Sequence, residues 1–388
     1  MMTILTFLFK LVFFLSISIS GNPSNLLDNM AASGKTINGF LRPVLNGSFA
    51  HGTYGFLFKG EMVRNNRSVA MKFVKKEHKN TADREFEMYS YLDAIDKPKI
   101  EKFGISAIYY YNEWNDYMVM AFSHFYGGTL EGKKYIDTPI DSLILFKQFV
   151  LQAKYLHSHG VRHDDIKPEN IMLLRGRSYL IDFNNSAKLA EFSTGGTLQF
   201  SSRASHNGEI RCAMDDFESF LYTMCYLNSL ELKWFDTIEC GNQYDSDVID
   251  ECGDFKQLTD HTLKEIESIE SVPLRHVFEA FANEVFNNYD KQFPDYDRLD
   301  KAITASIKDL NGSTEVPLFT WLTDQEIQDA RLDPPVPDIE HDLKDPSKIE
   351  IFKYDKPDYT YFHQLKKIKS FGSASSSPGS SKRKKKMI

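Results

Sequence analysis

Asp165, Lys167 and Asn170 fall within six residues of one another in the run Leu156–Leu174 (LHSHGVRHDDIKPENIMLL), and Asp182 follows twelve positions after Asn170, closing the apolar stretch Tyr179-Leu180-Ile181. A carboxylate in such a loop could accept the proton of a hydroxyl and aim its oxygen, while a neighbouring ammonium neutralises charge on a transferring phosphoryl group. An amide oxygen and a second carboxylate could hold magnesium, a hard cation that favours oxygen ligands. Together the types suit transfer of a phosphoryl group to a hydroxyl. Taken singly each has a plainer reading: Asp165 as a turn residue, Lys167 as a surface charge, Asn170 as a helix cap.

The elements that must position such a set lie upstream. From Leu41 to Val74 the pattern is strand, glycine turn, strand, polar turn, strand, with the turn at Phe49-Ala50-His51-Gly52-Thr53-Tyr54-Gly55. Glycines at 52 and 55 let backbone N–H groups approach phosphate oxygens closely, although an ordinary tight hairpin uses glycine too. Val69-Ala70-Met71-Lys72 places a lysine 17 residues after Gly55. On a buried strand that ammonium is costly unless an anion meets it. The stretch Ala82–Leu92 (ADREFEMYSYL) has helical spacing, with Ala82, Phe86 and Tyr89 on one face and Glu85 adjoining it. Glu85, beside the apolar face, could supply that anion. The alternative is a surface acid on an amphipathic helix.

Asp165-Ile166-Lys167-Pro168-Glu169-Asn170 has the form D-x-K-P-x-N, with His163 two residues before the acid, and Asp182-Phe183-Asn184 resembles a metal-binding Asp-Phe-Gly. With Lys72 and Glu85 upstream in the same order, the chain resembles the casein kinase 1 group of protein kinases, including its tau-tubulin kinase-like branch. Met118-Val119-Met120, Gly127-Gly128-Thr129-Leu130-Glu131, Met214-Asp215-Asp216-Phe217-Glu218-Ser219 and Pro294-Asp295-Tyr296 carry the same likeness. The resemblance implies an α+β, bilobal protein-kinase-like fold over 37–310, with a small, mainly β N-lobe (37–120) and a larger, mainly α C-lobe (121–310). It implies an ATP-dependent serine/threonine kinase acting on protein substrates; the alternative is a pseudokinase that serves as a nucleotide-binding scaffold. Asp165, Lys167, Lys72 and Glu85 would then be catalytic, and Asn170 and Asp182 would hold Mg2+. ATP would lie beneath Phe49, Ala50, His51, Gly52, Thr53, Tyr54 and Gly55, against Leu57, Ala70, Lys72 and Met120. Asp216 would tie the catalytic loop to the helix that follows.

Several positions depart from that pattern. Ala50 replaces a loop glycine, Ala121 a hinge acid and Asn184 the last glycine, where asparagine best tolerates a left-handed backbone. The Ala-Pro-Glu expected after Gly196-Thr197 is missing. Gln199 stands where relatives carry a basic residue, which puts acid-directed specificity in doubt. Asp164 takes the place of the arginine that pairs with a phosphorylated activation loop. An acid cannot do this, so phosphorylation of Ser193, Thr194 or Thr197 is not expected to be the switch.

The 388 residues are 42% hydrophobic and 26% charged with 21 Gly and 14 Pro, which excludes collagen-like, wholly disordered and disulfide-scaffold classes. Four cysteines are too few to staple such a chain. From Lys366 on there are eight basic residues and no acid, so a net charge of -8 leaves -16 on residues 1–365. That body is a poor match for a phosphate backbone, and no nucleic-acid partner is expected. Residues 1–20, apolar from Ile4 to Ile19, read as a cleaved signal, an anchor giving membrane association, or an extension without bearing on location. Location is accordingly the secretory pathway or a membrane in the first two cases, and cytoplasm or nucleus in the third. A linker is expected over 21–36, a C-terminal extension over 311–369 and a disordered, Ser-rich basic tail over 370–388.

Overall fold

Strands β2 (Gly55–Met62) and β3 (Ser68–Lys75) alternate their side chains between two covered faces, as the period of two in a pleated strand requires. In the computed structural model, Phe56 and Phe58 of β2 and Val69, Met71 and Phe73 of β3 share one face with Val119 and Ala121 of β5 (Tyr117–Ser123). That face is covered by Leu27 and Met30 of helix α1 (Pro23–Ala32), together with Ile37 and Leu41. On the opposite face, Val74, Met118, Met120 and Phe122 pack against Ala82, Met88, Tyr89 and Leu92 of α2 (Lys79–Asp96). The antiparallel sheet has the order β1-β2-β3-β5-β4, with β1 at Leu41–His51 and β4 at Ile108–Trp114. Its register sets Leu57, Lys72, Met120 and Tyr111 in one row.

The structure describes residues 23–328, apart from 52, 53, 97–99, 124–127, 134, 135, 137, 175, 190, 194, 241–245 and 326. The apolar stretch 4–19 and the basic tail 370–388 fall outside it. Among the described residues, no helix is long and apolar enough to cross a membrane. The expectation of a linker over 21–36 does not hold, because Pro23–Ala32 is helical. Leu27 and Met30 sit one turn apart and find an apolar sheet face to cover, which gives a ten-residue helix the packing it needs.

The large lobe is built on α3 (Pro139–Ser158) and α5 (Ala213–Leu227), flanked by α9 (Val272–Asn287) and α10 (Tyr296–Asn311). Thr138 caps α3, its hydroxyl accepting from the Asp141 N–H at 3.3 Å, and Pro139 suits the first turn, where no N–H is needed. Helix α5 is buried almost throughout, its carboxylates Asp215, Asp216 and Glu218 included. Phe146 and Phe149 of α3, Phe217 and Phe220 of α5 and Phe281 of α9 interlock edge to face and in stacks. Shorter helices α4 (Arg203–Asn207), α6 (Lys233–Cys240), α7 (Ser246–Gln257) and α8 (Thr259–Glu267) complete the lobe. Cys212, Cys225 and Cys252 are free thiols. Beyond α10, Phe319 is buried and the Thr320 N–H donates to Asp141 Oδ1 at 2.7 Å, so the start of the C-terminal extension lies on this lobe.

Leu27 is 1% exposed and its neighbour Leu26 47%. Leu27→Ala should therefore lower the unfolding free energy by about 2 to 5 kcal/mol, the range for truncating a buried leucine. Leu26→Ala should change it by less than about 0.5 kcal/mol. Denaturant unfolding of the two variants checks whether α1 is part of the folded unit; equal losses would count against it.

Candidate active site

Two short hairpins bring the chemistry-bearing residues together. Pairing of β7 (Ile171–Leu174) with β8 (Arg177–Leu180) sets Ile171 opposite Leu180, so Asn170 meets the residues just before Asp182, and the Ile181 N–H donates to Asn170 O at 3.0 Å. β6 (Val161–Arg162) and β9 (Ala187–Lys188) pair in the same way on either side of the loop. The loop backbone is held from below by a carboxylate that α5 buries: Asp216 accepts the N–H of His163 at 2.8 Å and that of Asp164 at 2.9 Å. His157 Nε2 lies 3.0 Å from the same side chain. Burial alone would raise the pKa of Asp216, but these donors lower it, so the anchor stays ionised. Its sequence-derived role of tying loop to helix matches these contacts.

Asp165 lies at the centre of a ring of donors. Its Oδ1 accepts the Thr197 hydroxyl at 2.8 Å, and Thr197 accepts Lys167 Nζ at 2.7 Å. Its Oδ2 accepts the amides of Asn170 at 3.2 Å and Asn185 at 3.1 Å and lies 3.2 Å from Lys167 Nζ. Asn170 Nδ2 also donates to Asp165 O at 2.9 Å. With the nitrogen of Asn170 committed to Asp165, its carbonyl oxygen is the end suited to a cation. Asn185 is a contributor that the sequence reading missed. Its only signal is a second amide directly after Asp182-Phe183-Asn184.

Lys72 reaches across the lobes. Its Nζ lies 2.8 Å from Glu85 Oε2 and 2.8 Å from Asp182 Oδ1. Burial pulls the ammonium pKa down, but the two carboxylates outweigh it and raise the value above that of a free lysine. Asp182 is lowered, the pull of Lys72 overcoming burial. Glu85 is pushed up to about 7, because burial and the charge of Asp182 exceed what a shared ammonium returns. Phe183, wholly buried, fixes Asp182 by packing against Tyr89 of α2 and His163 of the loop.

Leu57, Ala70 and Met120 line the sheet face that carries Lys72, and Tyr54 lies beside His78. A Cβ on Gly55 would sit 1.7 Å from the Phe73 carbonyl oxygen, so the exit of the turn requires glycine for close approach. Gly52 and Thr53, and the side chains of Phe49, Ala50 and His51, lie outside the described residues, as do residues 124–127.

One expectation needs correction. Asn184 is not the left-handed residue: it sits in a right-handed 3-10 turn (Phe183–Asn185), and Asp182 before it takes the positive φ of 64°. Strain of this kind gathers where a side chain must be aimed. Asp164 brings its own counter-ion. The side chain is wholly buried, with Arg162 Nε at 2.9 Å and Nη2 at 3.1 Å in a two-pronged pair and Arg211 Nη1 at 3.7 Å. These arginines also grip the following segment by its carbonyls: Arg162 donates to Glu191 O at 2.9 Å, and Arg211 to Ser193 O at 2.6 Å and Gly195 O at 2.8 Å. Neither arginine was singled out from the sequence.

A Glu85 carboxyl at about 7, against 4.5 when unfolded, keeps a proton in the folded chain that the unfolded chain gives up. Its contribution to stability is therefore full below about pH 4.5 and is lost as pH rises through 7. Glu85→Gln removes this dependence. The melting temperature of the variant minus that of the wild type should be more positive at pH 8 than at pH 5; a difference that does not change with pH would contradict the shared-ammonium arrangement.

Residues 46–204 match the protein kinase domain family. A probable casein kinase I homolog of Encephalitozoon cuniculi is 29% identical over 205 residues, 48% of this chain and 65% of its own length. A second homolog from that organism is 26% identical over 201 residues, 48% of this chain and 62% of its own. A probable serine/threonine-protein kinase of fowlpox virus is 35% identical over 103 residues, 23% of this chain and 35% of its own. The matches thus span less than two thirds of each of these relatives. The solved structure of vaccinia related kinase 3 superposes with a TM-score of 0.54 at 14% identity, covering 76% of this chain and 98% of that one, a likeness of fold alone. The chain therefore has the protein kinase fold, and its residues 46–204 are similar to the protein kinase domain family.

Proposed function

We propose that the chain is a serine/threonine protein kinase that uses magnesium and ATP. The observation that carries this reading is the meeting of Lys72, Glu85 and Asp182 at the sheet face while Asp165, Lys167 and Thr197 form a bonded triangle on the large lobe. The donor set fits magnesium, which keeps one or two protein oxygens and takes the rest from phosphates and water; Asn170 and Asp182 would hold it, and when bound it neutralises charge on those phosphates. Lys72, kept protonated by its two acids, is placed to pair with phosphate oxygens beneath the Gly55 turn. Asp165 accepts the proton of the acceptor hydroxyl and aims its oxygen. Lys167 keeps positive charge beside the oxygen that loses the proton, and Thr197 holds Asp165 and Lys167 at fixed separation.

The second reading, a nucleotide-binding scaffold, is favoured by Asn185, which takes up a lone pair of Asp165 that a base would use. Transfer of labelled γ-phosphate to an acidic protein separates the two. Asp165→Asn and Lys72→Met should each lower the rate by about 10²-fold or more. A wild type that binds nucleotide but transfers nothing supports the scaffold. Transfer unchanged in both variants would mean that these residues do not perform it.

Asp164 with Arg162 and Arg211 supports a kinase that needs no activating phosphate. The anion that arginines would otherwise recruit by phosphorylation is already supplied by the chain, and Ser193 is buried with its hydroxyl bonded to Arg211 Nη2 at 3.1 Å. Protein treated with a phosphatase should keep its transfer rate within about twofold, less than a 0.5 kcal/mol change in barrier. A gain of tenfold or more on phosphorylating Ser193, Thr194 or Thr197 would overturn this.

A further inference from the structure

Lys256 of α7 is buried at 1% exposure, yet among the described residues it forms no ion pair with a carboxylate. Its Nζ donates to Leu198 O at 2.8 Å and Ser201 O at 2.7 Å and lies 3.0 Å from His206 Nε2 on α4. It also sits over the rings of Tyr222, at 5.2 Å, and Trp234, at 5.4 Å. Three acceptors for three N–H bonds and two aromatic faces compensate an ammonium that water has left. The compensation is incomplete: burial brings the pKa down to about 7. His206 is driven to about 3 by burial and by the charge of Lys256, so its imidazole is neutral and can accept at Nε2. What a charge so placed can do is fix the groups that it bonds.

The carbonyls it holds locate that use. Leu198 to Ser201 follow directly on Thr197, whose hydroxyl bonds both Asp165 and Lys167. Trp234 Nε1 donates to Gln199 O at 3.0 Å, so three carbonyls of this short run are gripped by two side chains from α6 and α7. A protein hydroxyl that reaches Asp165 must bring its flanking residues past the chain that leaves Thr197. We propose that Lys256 is a positioning residue for the acceptor protein: its ammonium, seated beneath Leu198–Ser201, fixes the ledge on which the acceptor rests beside Asp165. The catalytic consequence rests on the kinase reading above; the mechanical one does not.

The test uses the full chain and two readouts. In Lys256→Met, hydrogen exchange at the amides of Phe200 and Ser201, both bonded to Thr197 O, should quicken by about tenfold or more, while amides of α2 stay unchanged. The KM for a protein acceptor should rise by about tenfold, the scale set by losing one charged donor, with the KM for ATP within about twofold. If Lys256→Met does not fold, Trp234→Phe, which keeps the ring and removes the Gln199 bond, should show both effects more weakly. Unchanged exchange at Phe200 and Ser201 in a folded variant would overturn the proposal, as would equal rises in both KM values. A wild type without transfer would sink the kinase reading alone, leaving the exchange result to decide the ledge.

Discussion

One ammonium ties an acid of the small lobe to an acid of the large one. Lys72 meets Glu85, thirteen residues away on the neighbouring helix, and Asp182, 110 residues away at the end of a large-lobe hairpin. The arrangement requires the sheet face that carries Lys72, the packing of α2 that turns Glu85 inward, and the buried Phe183 that holds Asp182 between α2 and the loop. None of the three charges is favourable in that place alone, since each is taken from water. Two carboxylates for one ammonium also leave the cluster with negative charge to spare once Glu85 gives up its proton, at about pH 7 and above. That surplus sits where the side-chain oxygens of Asp182 and Asn170 are suited to a hard cation.

The large lobe repeats one device at three levels. Asp216 fixes the loop by accepting its N–H groups; Arg162 and Arg211, which share Asp164 as a partner, hold the carbonyls of Glu191, Ser193 and Gly195; Lys256 and Trp234 do the same for Leu198, Gln199 and Ser201. In each case a buried polar side chain is satisfied by backbone, so the segment beside Asp165 is held by groups that the chain itself supplies. Such contacts stay in place without a modifying group. Replacement of an arginine by Asp164 therefore reads as relocation of charge rather than its loss, because two arginines surround the acid.

Much of the site was legible because its signals are local or ordered along the chain. Lys72 follows from strand alternation after a glycine turn, Glu85 from its place beside the apolar face of a helix, and Asp165, Lys167 and Asn170 from one loop. Asp216 could be named only through the resemblance that Met214–Ser219 carries. What escaped depends on contacts between distant segments. Arg211 and Lys256 look like surface charges until folding buries them, and Asn185 has no distinguishing neighbour. Helix α1 falls where a linker was expected; ten residues have little helical stability alone, and its order comes from the sheet face that it covers. The left-handed backbone was assigned to Asn184 by propensity, whereas aiming Asp182 at Lys72 places it two residues earlier.

The convergence of Lys72, Asp182 and Asn170 on one nucleotide is tested most directly by equilibrium binding of a fluorescent ATP analogue to the full chain, with and without magnesium, in the wild type and in Asp182→Asn. Magnesium should tighten binding to the wild type by about tenfold or more and to Asp182→Asn by much less, as expected when a charged ligand of the cation is removed. Binding that is indifferent to magnesium, or tightened equally in both proteins, would contradict the shared site.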